Sequence, residues 1–366
     1  MNYITSYPES TLIYILVLLI TTSQAFFMRI LSPNLKKVNL IIITLILTLF
    51  AGFRGYTVGT DTLGYLLTFE TYSPNYIGRP IGGFEIGFYL LSKILLFVVD
   101  SPQFLLIFIA LIINSLILST FWYFRDSISF EFSIFTYVSL YYFYTFSGIR
   151  QWIAVAIVFY ASRFIFEKRY NKFIIYTLIA SAIHNTALIS LLYLPLDFIN
   201  WKDVPRKYKK AFYFILLLSP AIIYIGFKII SNSGRLEYYG RLLAEDYLNI
   251  DIGYVLFIKL TILFFVFITF KQKEHQPTTI NFYKKVRLIY FVGIILSFSG
   301  YFYENVSRIG WYFMIYEVIF FSMIAKFRKY WGVKLVVTLL IILLFIISLL
   351  ESAENQMPYI PFWKYN

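Results

Sequence analysis

"PQFLLIFIALIINSLILSTFWYF", residues 102–124, is a long run of apolar residues that contains no charged side chain. A helix of about 20 apolar residues is long enough to cross the ~30 Å hydrocarbon core of a bilayer. Lipid offers no hydrogen bonds to the backbone, so a helix is the structure that such a run adopts there. The stretch therefore predicts a transmembrane helix and, with it, a helical membrane fold.

The composition of the whole chain points the same way. Of its 366 residues, 60% are hydrophobic and only 14% are charged, whereas soluble domains are about half apolar and a quarter charged. Cysteine is absent, which excludes a disulfide framework, a thiolate metal site and a cysteine nucleophile. The two histidines, His184 and His275, are far apart in sequence. We therefore expect neither a metal site nor a cofactor.

Other apolar stretches extend the prediction to a multi-pass protein. Besides 102–124, the predicted spans are residues 11–31, 38–53, 128–147, 152–166, 208–230, 253–270, 287–303, 308–326 and 333–350. Three shorter stretches, 86–99, 173–183 and 186–198, would cover only about 16–21 Å as helices. We expect the last two to form a hairpin with His184 in its turn, and 86–99 to be re-entrant or to lie at the interface.

The predicted fold class is therefore an all-α polytopic membrane protein. It has about 10–12 transmembrane helices, plus short re-entrant or broken helices around an outward-facing cavity. We predict a single integral membrane domain over residues 1–366.

The excess of positive charge sets the predicted orientation. The formal net charge is +13, from 32 Lys and Arg against 19 Asp and Glu, and basic loops remain on the cytoplasmic side of a membrane. That role explains the charge, so we expect no nucleic-acid partner. The basic clusters placed in the cytoplasm are Arg29 to Lys37, Lys168 to Lys172, Lys202 to Lys210, residues 271–287 and residues 325–334. The loops 54–85 and 231–252 and the C-terminal residues 351–366 are then extracytoplasmic.

The extracytoplasmic side is rich in arginine rather than lysine. Its basic residues are Arg54, Arg79, Arg150, Arg235, Arg241, Arg308 and a lone lysine, Lys364. Orientation requires only charge, which lysine supplies equally well. The bias to arginine therefore indicates planar, bidentate recognition of phosphate or carboxylate.

These arginines also have ordinary interpretations. Arg54 can equally cap the C-terminus of the preceding helix. Arg235 and Arg241 lie near acidic residues and can equally form a solvated, salt-bridged loop. Arg150 and Arg308 each begin a span, where a positive charge opposes the helix dipole, and this position favours an anionic ligand.

Three further residues are candidates for acid–base chemistry. Asp61 in "GTDT" and Glu85 in "GGFEIGF" can each be the N-cap of a short helix or a general base. His184 in "SAIHNTALIS" can be a hydrogen-bonded core residue, although ionisable groups at membrane depth are functional candidates by default.

Several motifs occur in a characteristic order. They are "FRGYTVGTDTLGY" (53–65), "FEIGFYLLSKIL" (84–95), "SGIRQWIAVA" (147–156), "SAIHNTALIS" (181–190) and "NVSRIGWYF" (305–313). Their order and spacing over about residues 50 to 315 resemble the EpsG family, the Wzy-like polymerases of bacterial exopolysaccharide, capsule and O-antigen.

The resemblance implies a metal-independent membrane glycosyltransferase at the outer face of the bacterial cytoplasmic membrane. Such an enzyme transfers a glycan from undecaprenyl pyrophosphate onto the terminal sugar of a lipid-linked repeat unit. Its partners are the lipid-linked donor and acceptor and the bilayer, and the cytoplasmic basic loops are a candidate surface for a chain-length regulator.

The resemblance also implies roles for individual residues. We expect the acceptor to be activated by Asp61 or His184, with Glu85 as a weaker candidate. The residues expected to bind substrate or pyrophosphate are Arg54, Arg150, Gln151, Arg308, Tyr65, Arg235 and Arg241.

Two other functions account for less of the sequence. A flippase for lipid-linked oligosaccharides should place cations along a path reachable from both sides, whereas these arginines are predicted on one face. A membrane O-acyltransferase could use His184, but it would leave the arginines without a purpose.

The predicted orientation can be tested in this naturally cysteine-free chain. We expect Thr60→Cys to react with a membrane-impermeant maleimide added from outside the cell, because Thr60 lies in the predicted outer loop. Lys172→Cys, from a predicted cytoplasmic cluster, is the matched control and should react only in permeabilised cells. Labelling of Thr60→Cys from the cytoplasmic side alone would reverse the predicted orientation.

Overall fold

A computed structural model describes most of the chain. The described residues are 3–73, 75, 84–198, 204–208, 210–211, 214–215, 218–219, 221–222, 225, 257–261, 276–298, 308–352 and 355–364. Arg79, Arg235 and Arg241 lie outside them, as does His275. The regular structure of the described residues is helical, without a β-strand, and an isolated antiparallel bridge joins Arg54 to Pro361.

Most helices follow the predicted apolar stretches, but the helix Pro277–Ser297 begins well before the predicted span 287–303 and includes much of the predicted basic loop 271–287. The N-terminal series is α1 Tyr3–Ser6, α2 Pro8–Phe27, α3 Pro33–Gly52, α4 Thr62–Tyr72, α5 Ile86–Val98, α6 Pro102–Phe124, α7 Phe130–Leu140, α8 Ile149–Ala161, α9 Arg163–Phe166, α10 Tyr170–Ile183 and α11 Tyr193–Phe198. The C-terminal series is α12 Pro277–Ser297, α13 Trp311–Met314, α14 Tyr316–Lys326 and α15 Trp331–Glu351. Short 3₁₀ turns lie at Phe143–Phe146, Asn185–Leu192, Arg308–Gly310, Arg328–Tyr330 and Phe362–Lys364.

The predicted fold class is confirmed. Within the described residues, 6 helical segments are long and apolar enough to cross a membrane: Pro8–Phe27, Pro33–Gly52, Pro102–Phe124, Ile149–Phe166, Arg308–Lys326 and Arg328–Glu351. The chain is thus an all-α, multi-pass membrane protein. Most of the predicted spans 208–230 and 253–270 lies outside the described residues, and the total of about 10–12 spans stays a prediction.

Burial distinguishes α8 from the helices that face lipid. The window Ile149–Phe166, which contains α8, is mostly buried, and Trp152 within it is fully enclosed. By contrast, α2, α3 and α15 leave large apolar side chains exposed, as Leu19, Ile41 and Leu339 illustrate. Lipid contacts such side chains in a membrane protein, so the exposure fits the predicted environment.

The chain divides into two compact units. The first comprises Met1–Leu188 and Phe321–Asn366, and the second comprises Ile189–Phe320. The site described below lies wholly within the first unit. The prediction of one membrane domain over residues 1–366 stays a prediction.

The predicted span 128–147 is interrupted in the structure. Helix α7 stops at Leu140, because the amides of Tyr141 and Tyr142 both bond to the carbonyl of Tyr137, at 2.9 Å each. After a 3₁₀ turn, Gly148 adopts a left-handed conformation, φ 58°, and α8 begins at the next residue. The break leaves backbone groups that the helix itself cannot pair.

The segment 53–61, here called the polar loop, packs against this break. Gly59 has φ +94°, and a Cβ atom added there would lie 2.6 Å from the carbonyl oxygen of Phe146. The amide of Thr60 donates to the hydroxyl of Ser147 at 2.8 Å. Glycine is therefore required at position 59 both for the backbone angle and for the close approach.

The C-terminal segment 355–364, here called the tail, returns to the polar loop. The amide of Gly55 donates to the carbonyl of Ile360 at 2.8 Å, and that of Phe362 donates to Phe53 at 3.0 Å. These bonds place the tail and the polar loop side by side, and the extracytoplasmic position of both stays a prediction.

Replacement of Gly59 should destabilise the protein through this contact. We expect Gly59→Ala to lower the free energy of unfolding by about 2 kcal/mol, because a side chain there is strained in φ and meets a backbone oxygen. The measurement is thermal unfolding of the purified protein in detergent.

Gly64→Ala is the matched control for this experiment. Gly64 lies inside α4, and an added Cβ atom there meets nothing within 4 Å. Alanine should raise stability by about 0.5–1 kcal/mol, since it is the better helix former. Equal melting temperatures for the two variants would contradict the packing of the polar loop on Phe146.

Candidate active site around Glu85

Three of the predicted site residues meet at one carboxylate. Oε2 of Glu85 lies 2.5 Å from Nη1 of Arg150, and Oε1 lies 3.1 Å from Nδ1 of His184. The backbone amide of Asn185 donates to the same Oε1 at 3.3 Å. Residues that are 65 and 99 positions apart from Glu85 in sequence thus share its two oxygens.

Helix ends position this cluster. Glu85 is the residue before α5, Arg150 lies in the first turn of α8, and His184 follows the end of α10 in an extended conformation. His184 thus lies at the break between α10 and the 3₁₀ turn Asn185–Leu192, and the predicted hairpin stays a prediction. Gly87 allows α5 to approach α10, since a Cβ atom on Gly87 would lie 2.6 Å from the carbonyl oxygen of Ala182.

The guanidinium of Arg150 is held on several sides. Its Nε donates to the hydroxyl of Tyr65 at 3.3 Å, and its Cζ lies 4.1 Å from the centroid of the Phe84 ring. Its side chain is 22% exposed. Within the described residues Nη2 has no hydrogen-bond partner. Arg150 is thus oriented, yet one of its nitrogens remains available to an anion.

Three phenylalanine rings pack against the ring of Tyr65. Its ring contacts Phe69, Phe84 and Phe88, with centroid distances of 6.0, 5.6 and 5.9 Å. Burial raises the pKa of the Tyr65 hydroxyl, so the phenol stays protonated at physiological pH. A rigid, neutral hydroxyl therefore receives the Arg150 hydrogen bond.

Asp61 lies beside the cluster without joining it. It occupies the N-cap position of α4, but its carboxylate makes no bond to that helix. Instead, its Oδ2 accepts from the amide of Gly148 at 3.0 Å, at the N-terminus of α8. A carboxylate stabilises that end of a helix. Asp61 therefore connects the polar loop to the helix that carries Arg150, and its role as a base stays a prediction.

Arg54 is not brought to the cluster. Its side chain is buried, and its donors bond to the carbonyl of Ala51 at 2.5 Å, the carbonyl of Phe146 at 3.1 Å and the hydroxyl of Thr62 at 3.3 Å. Burial lowers the pKa of the Arg54 guanidinium to about 10, so it remains charged at neutral pH. This geometry agrees with the capping interpretation, because the guanidinium donates to two backbone carbonyls and one hydroxyl of the fold, and the predicted binding of pyrophosphate by Arg54 stays a prediction.

The remaining predicted binding residues are Gln151, Arg308, Arg235 and Arg241. Gln151 follows Arg150 in α8 and is buried. Arg308 starts a 3₁₀ turn in the second compact unit, with its guanidinium 5.4 Å from the Trp311 ring. Arg235 and Arg241 lie outside the described residues.

Comparison with known families identifies the chain. The profile of the EpsG family matches residues 37–366. The chain belongs to the EpsG family. The match is longer than the motif region at about 50 to 315 and includes the tail, which hydrogen-bonds to the polar loop. No curated protein and no solved structure matches the chain.

Membership of the EpsG family relates the chain to exopolysaccharide biosynthesis and implies a glycosyltransferase-like polymerase. The protonation state of Glu85 determines whether its carboxylate can act as a base in this cluster. Burial alone raises the pKa of this carboxyl, but the hydrogen bond from His184 and the charge of Arg150 lower it to about 2. Glu85 is therefore a carboxylate throughout the physiological range and a weak proton acceptor. It is better suited to orient Arg150 and His184 than to act as the base.

Two contributors to the cluster around Glu85 were not predicted from sequence. Phe84 stacks under the Arg150 guanidinium, and the amide of Asn185 donates to Glu85. Both residues are immediate neighbours of predicted site residues. In a chain with 22% aromatic residues, however, one more phenylalanine carries no distinguishing signal.

The Glu85 interactions predict a pH-dependent contribution to stability. Because the folded pKa, about 2, lies below the ordinary value of 4.5, the contribution is fully present above pH 4.5 and is lost as pH falls toward 2. We expect Glu85→Gln to cost on the order of 2 kcal/mol at pH 7, and the difference from wild type to shrink below pH 4.5. The measurement is thermal unfolding in detergent between pH 7 and pH 3.

Glu9→Gln is the control for this titration, because Glu9 is an exposed residue of the first turn of α2. It should leave the unfolding curve unchanged across the same pH range. A Glu85→Gln difference that stays constant from pH 7 to pH 3 would contradict the depressed pKa.

Proposed function

We propose that this protein is a polysaccharide polymerase of the bacterial cytoplasmic membrane. It transfers a glycan from undecaprenyl pyrophosphate onto the terminal sugar of a lipid-linked repeat unit at the outer face. Membership of the EpsG family supports the polymerase class. The predicted sidedness and the arginine-rich outer face support the location and the anionic substrate.

The observation that carries the proposal is the shared carboxylate of Glu85. One oxygen faces the cation of Arg150 and the other faces the ring of His184. A transfer from a pyrophosphate donor needs a cation at the leaving group and a proton acceptor at the incoming hydroxyl. The cluster contains both groups in fixed orientations.

Arg150 is proposed to bind the pyrophosphate. Its Nη2 has no hydrogen-bond partner within the described residues, and the N-terminus of α8 adds a favourable dipole for an anion. Negative charge develops on the pyrophosphate as the bond to the sugar breaks. A guanidinium that is already oriented stabilises that charge without reorganisation.

His184 is proposed to be the base. Its Nδ1 faces Glu85, and Nε2 has no hydrogen-bond partner within the described residues. A carboxylate on Nδ1 favours the tautomer that carries its proton there, which leaves Nε2 able to accept one. The acceptor hydroxyl oxygen attacks the anomeric carbon, its proton passes to Nε2, and undecaprenyl pyrophosphate departs with the electron pair of the broken C–O bond.

The reaction is proposed to proceed without a metal ion or another cofactor. The resemblance to metal-independent polymerases and the arginine bias of the outer face support this part of the proposal. Arg308 and, outside the described residues, Arg235 and Arg241 remain proposed as further pyrophosphate ligands. A chain-length regulator at the cytoplasmic basic loops remains a proposed partner.

The test uses purified protein in liposomes with lipid-linked repeat units, and chain extension is the measured quantity. We expect extension in the presence of EDTA. Arg150→Ala should reduce kcat by about 10²–10³-fold, because a charge-stabilising donor is lost. Arg150→Lys should stay well below wild type, since an ammonium group cannot hold Tyr65 and Glu85 in the planar arrangement of the guanidinium while it also donates to the anion.

His184→Asn tests the base separately from the packing. An asparagine amide can still donate to Glu85, but it cannot accept the proton. We expect kcat to fall by about 10²–10⁴-fold with little change in thermal stability. Arg125→Ala, at an exposed arginine after α6, is the control and should retain wild-type activity.

Three outcomes would count against the proposal. Loss of extension in EDTA that is restored by a divalent cation would show a metal-dependent reaction. Full activity of Arg150→Lys would show that the planar guanidinium is not required. Translocation of the lipid-linked glycan without any new glycosidic bond would favour the flippase.

A further inference from the structure

We propose that Tyr359 of the tail is a positioning residue for the reaction: it holds the polar loop so that Asp61 fixes the N-terminus of α8 and, with it, Arg150. The proposal rests on the proposed function for its activity measurements. Its structural measurement is independent of that function.

The backbone of the tail holds the polar loop from one edge. Besides the bonds at Gly55 and Phe53, the amide of Gly59 donates to the carbonyl of Asn355 at 3.0 Å. Backbone bonds at positions 53, 55 and 59 of the loop leave it little freedom to shift. The tail thus occupies the position that a neighbouring strand would occupy in a sheet.

Tyr359 attaches the tail to α3 immediately before the polar loop. Its ring stacks on that of Phe50 with centroids 4.3 Å apart and planes 10° from parallel, and its hydroxyl donates to the carbonyl of Phe50 at 2.8 Å. The carbonyl belongs to the last turn of α3, where the helix leaves such groups unpaired. One side chain therefore provides both an aromatic contact and a helix cap.

The tail is anchored on its other side as well. The hydroxyl of Tyr14, in α2, bonds to the carbonyl of Gln356, and the side-chain amide of Gln356 donates to Ser348 in α15 at 2.9 Å. The amide of Tyr359 donates to the hydroxyl of Ser10 at 3.0 Å. Together with α3, helices α2 and α15 thus fix the tail. The tail can therefore hold the polar loop in place.

From the polar loop the contacts continue to Arg150. Thr60 bonds to Ser147 and Asp61 bonds to Gly148, and Gly148 lies two residues before Arg150. A catalytic group displaced by about 1 Å can lose about 10²-fold in rate. Loosening the loop should therefore reduce kcat more than it weakens the binding of substrate.

The experiment measures loop exposure and catalysis in the same full-length variants. Val58 is buried and Thr60 is exposed, so Val58→Cys reports loosening of the loop, and Thr60→Cys is the reference for reagent access. The tail variants are Tyr359→Ala, Tyr359→Phe and the control Lys364→Ala, which alters an exposed side chain of the same tail.

We expect Tyr359→Ala to raise the maleimide labelling rate of Val58→Cys by about tenfold relative to Thr60→Cys. It should lower kcat by about tenfold and change KM by less than about threefold. Tyr359→Phe keeps the ring stack but loses the hydroxyl, so its effects should be intermediate. Lys364→Ala should match wild type in every measurement.

Wild-type labelling and a wild-type kcat in Tyr359→Ala would overturn the proposal, as would a loss confined to KM. If Tyr359→Ala does not accumulate in the membrane, Tyr359→Phe decides: an unchanged kcat and labelling rate would overturn the proposal. If wild-type protein shows no chain extension, the proposed function fails, while the labelling rates still test whether Tyr359 holds the loop.

Discussion

Every backbone polar group of a membrane-embedded chain has to find a hydrogen-bond partner inside the protein. The interruption after Leu140 applies this constraint to one segment, because the residues between α7 and α8 lack the regular α-helical hydrogen bonds. The guanidinium of Arg54 donates to the carbonyl of Phe146, and the carboxylate of Asp61 accepts from the amide of Gly148. The polar loop and the broken helix therefore depend on each other, and Gly59 is the residue that allows their close approach.

The candidate site follows from that junction. Helix α8 begins where the break ends, and its first turn places Arg150 at the edge of the buried region. A partly buried cation requires a counter-charge, which Glu85 provides while also facing His184. The same ion pair that makes Arg150 tolerable in the fold leaves one of its nitrogens available to a ligand. Structural stability and proposed catalysis thus use one carboxylate.

The sequence was most informative where a signal is local. Apolar stretches located the helices. Because ionisable residues are scarce in this hydrophobic chain, Glu85, Arg150 and His184 were candidates, and the structure brings them together. Local signals failed where the partner is remote. The bond from Arg54 joins residues 92 positions apart, and the one from Tyr359 to Phe50 joins residues 309 apart. No periodicity or composition records which distant segments meet.

By itself, the sequence determined the all-helical membrane class, the approximate limits of the helices and the residue types available for chemistry, because hydropathy and charge act over a single turn or a single span. Tertiary structure decided how those residues are used. It buried Arg54 on carbonyl oxygens, turned Asp61 from its own helix to α8, and attached the tail to the polar loop. The reason is physical: these roles depend on which polar groups are left unpaired once the helices have packed, and that is a property of the assembled fold.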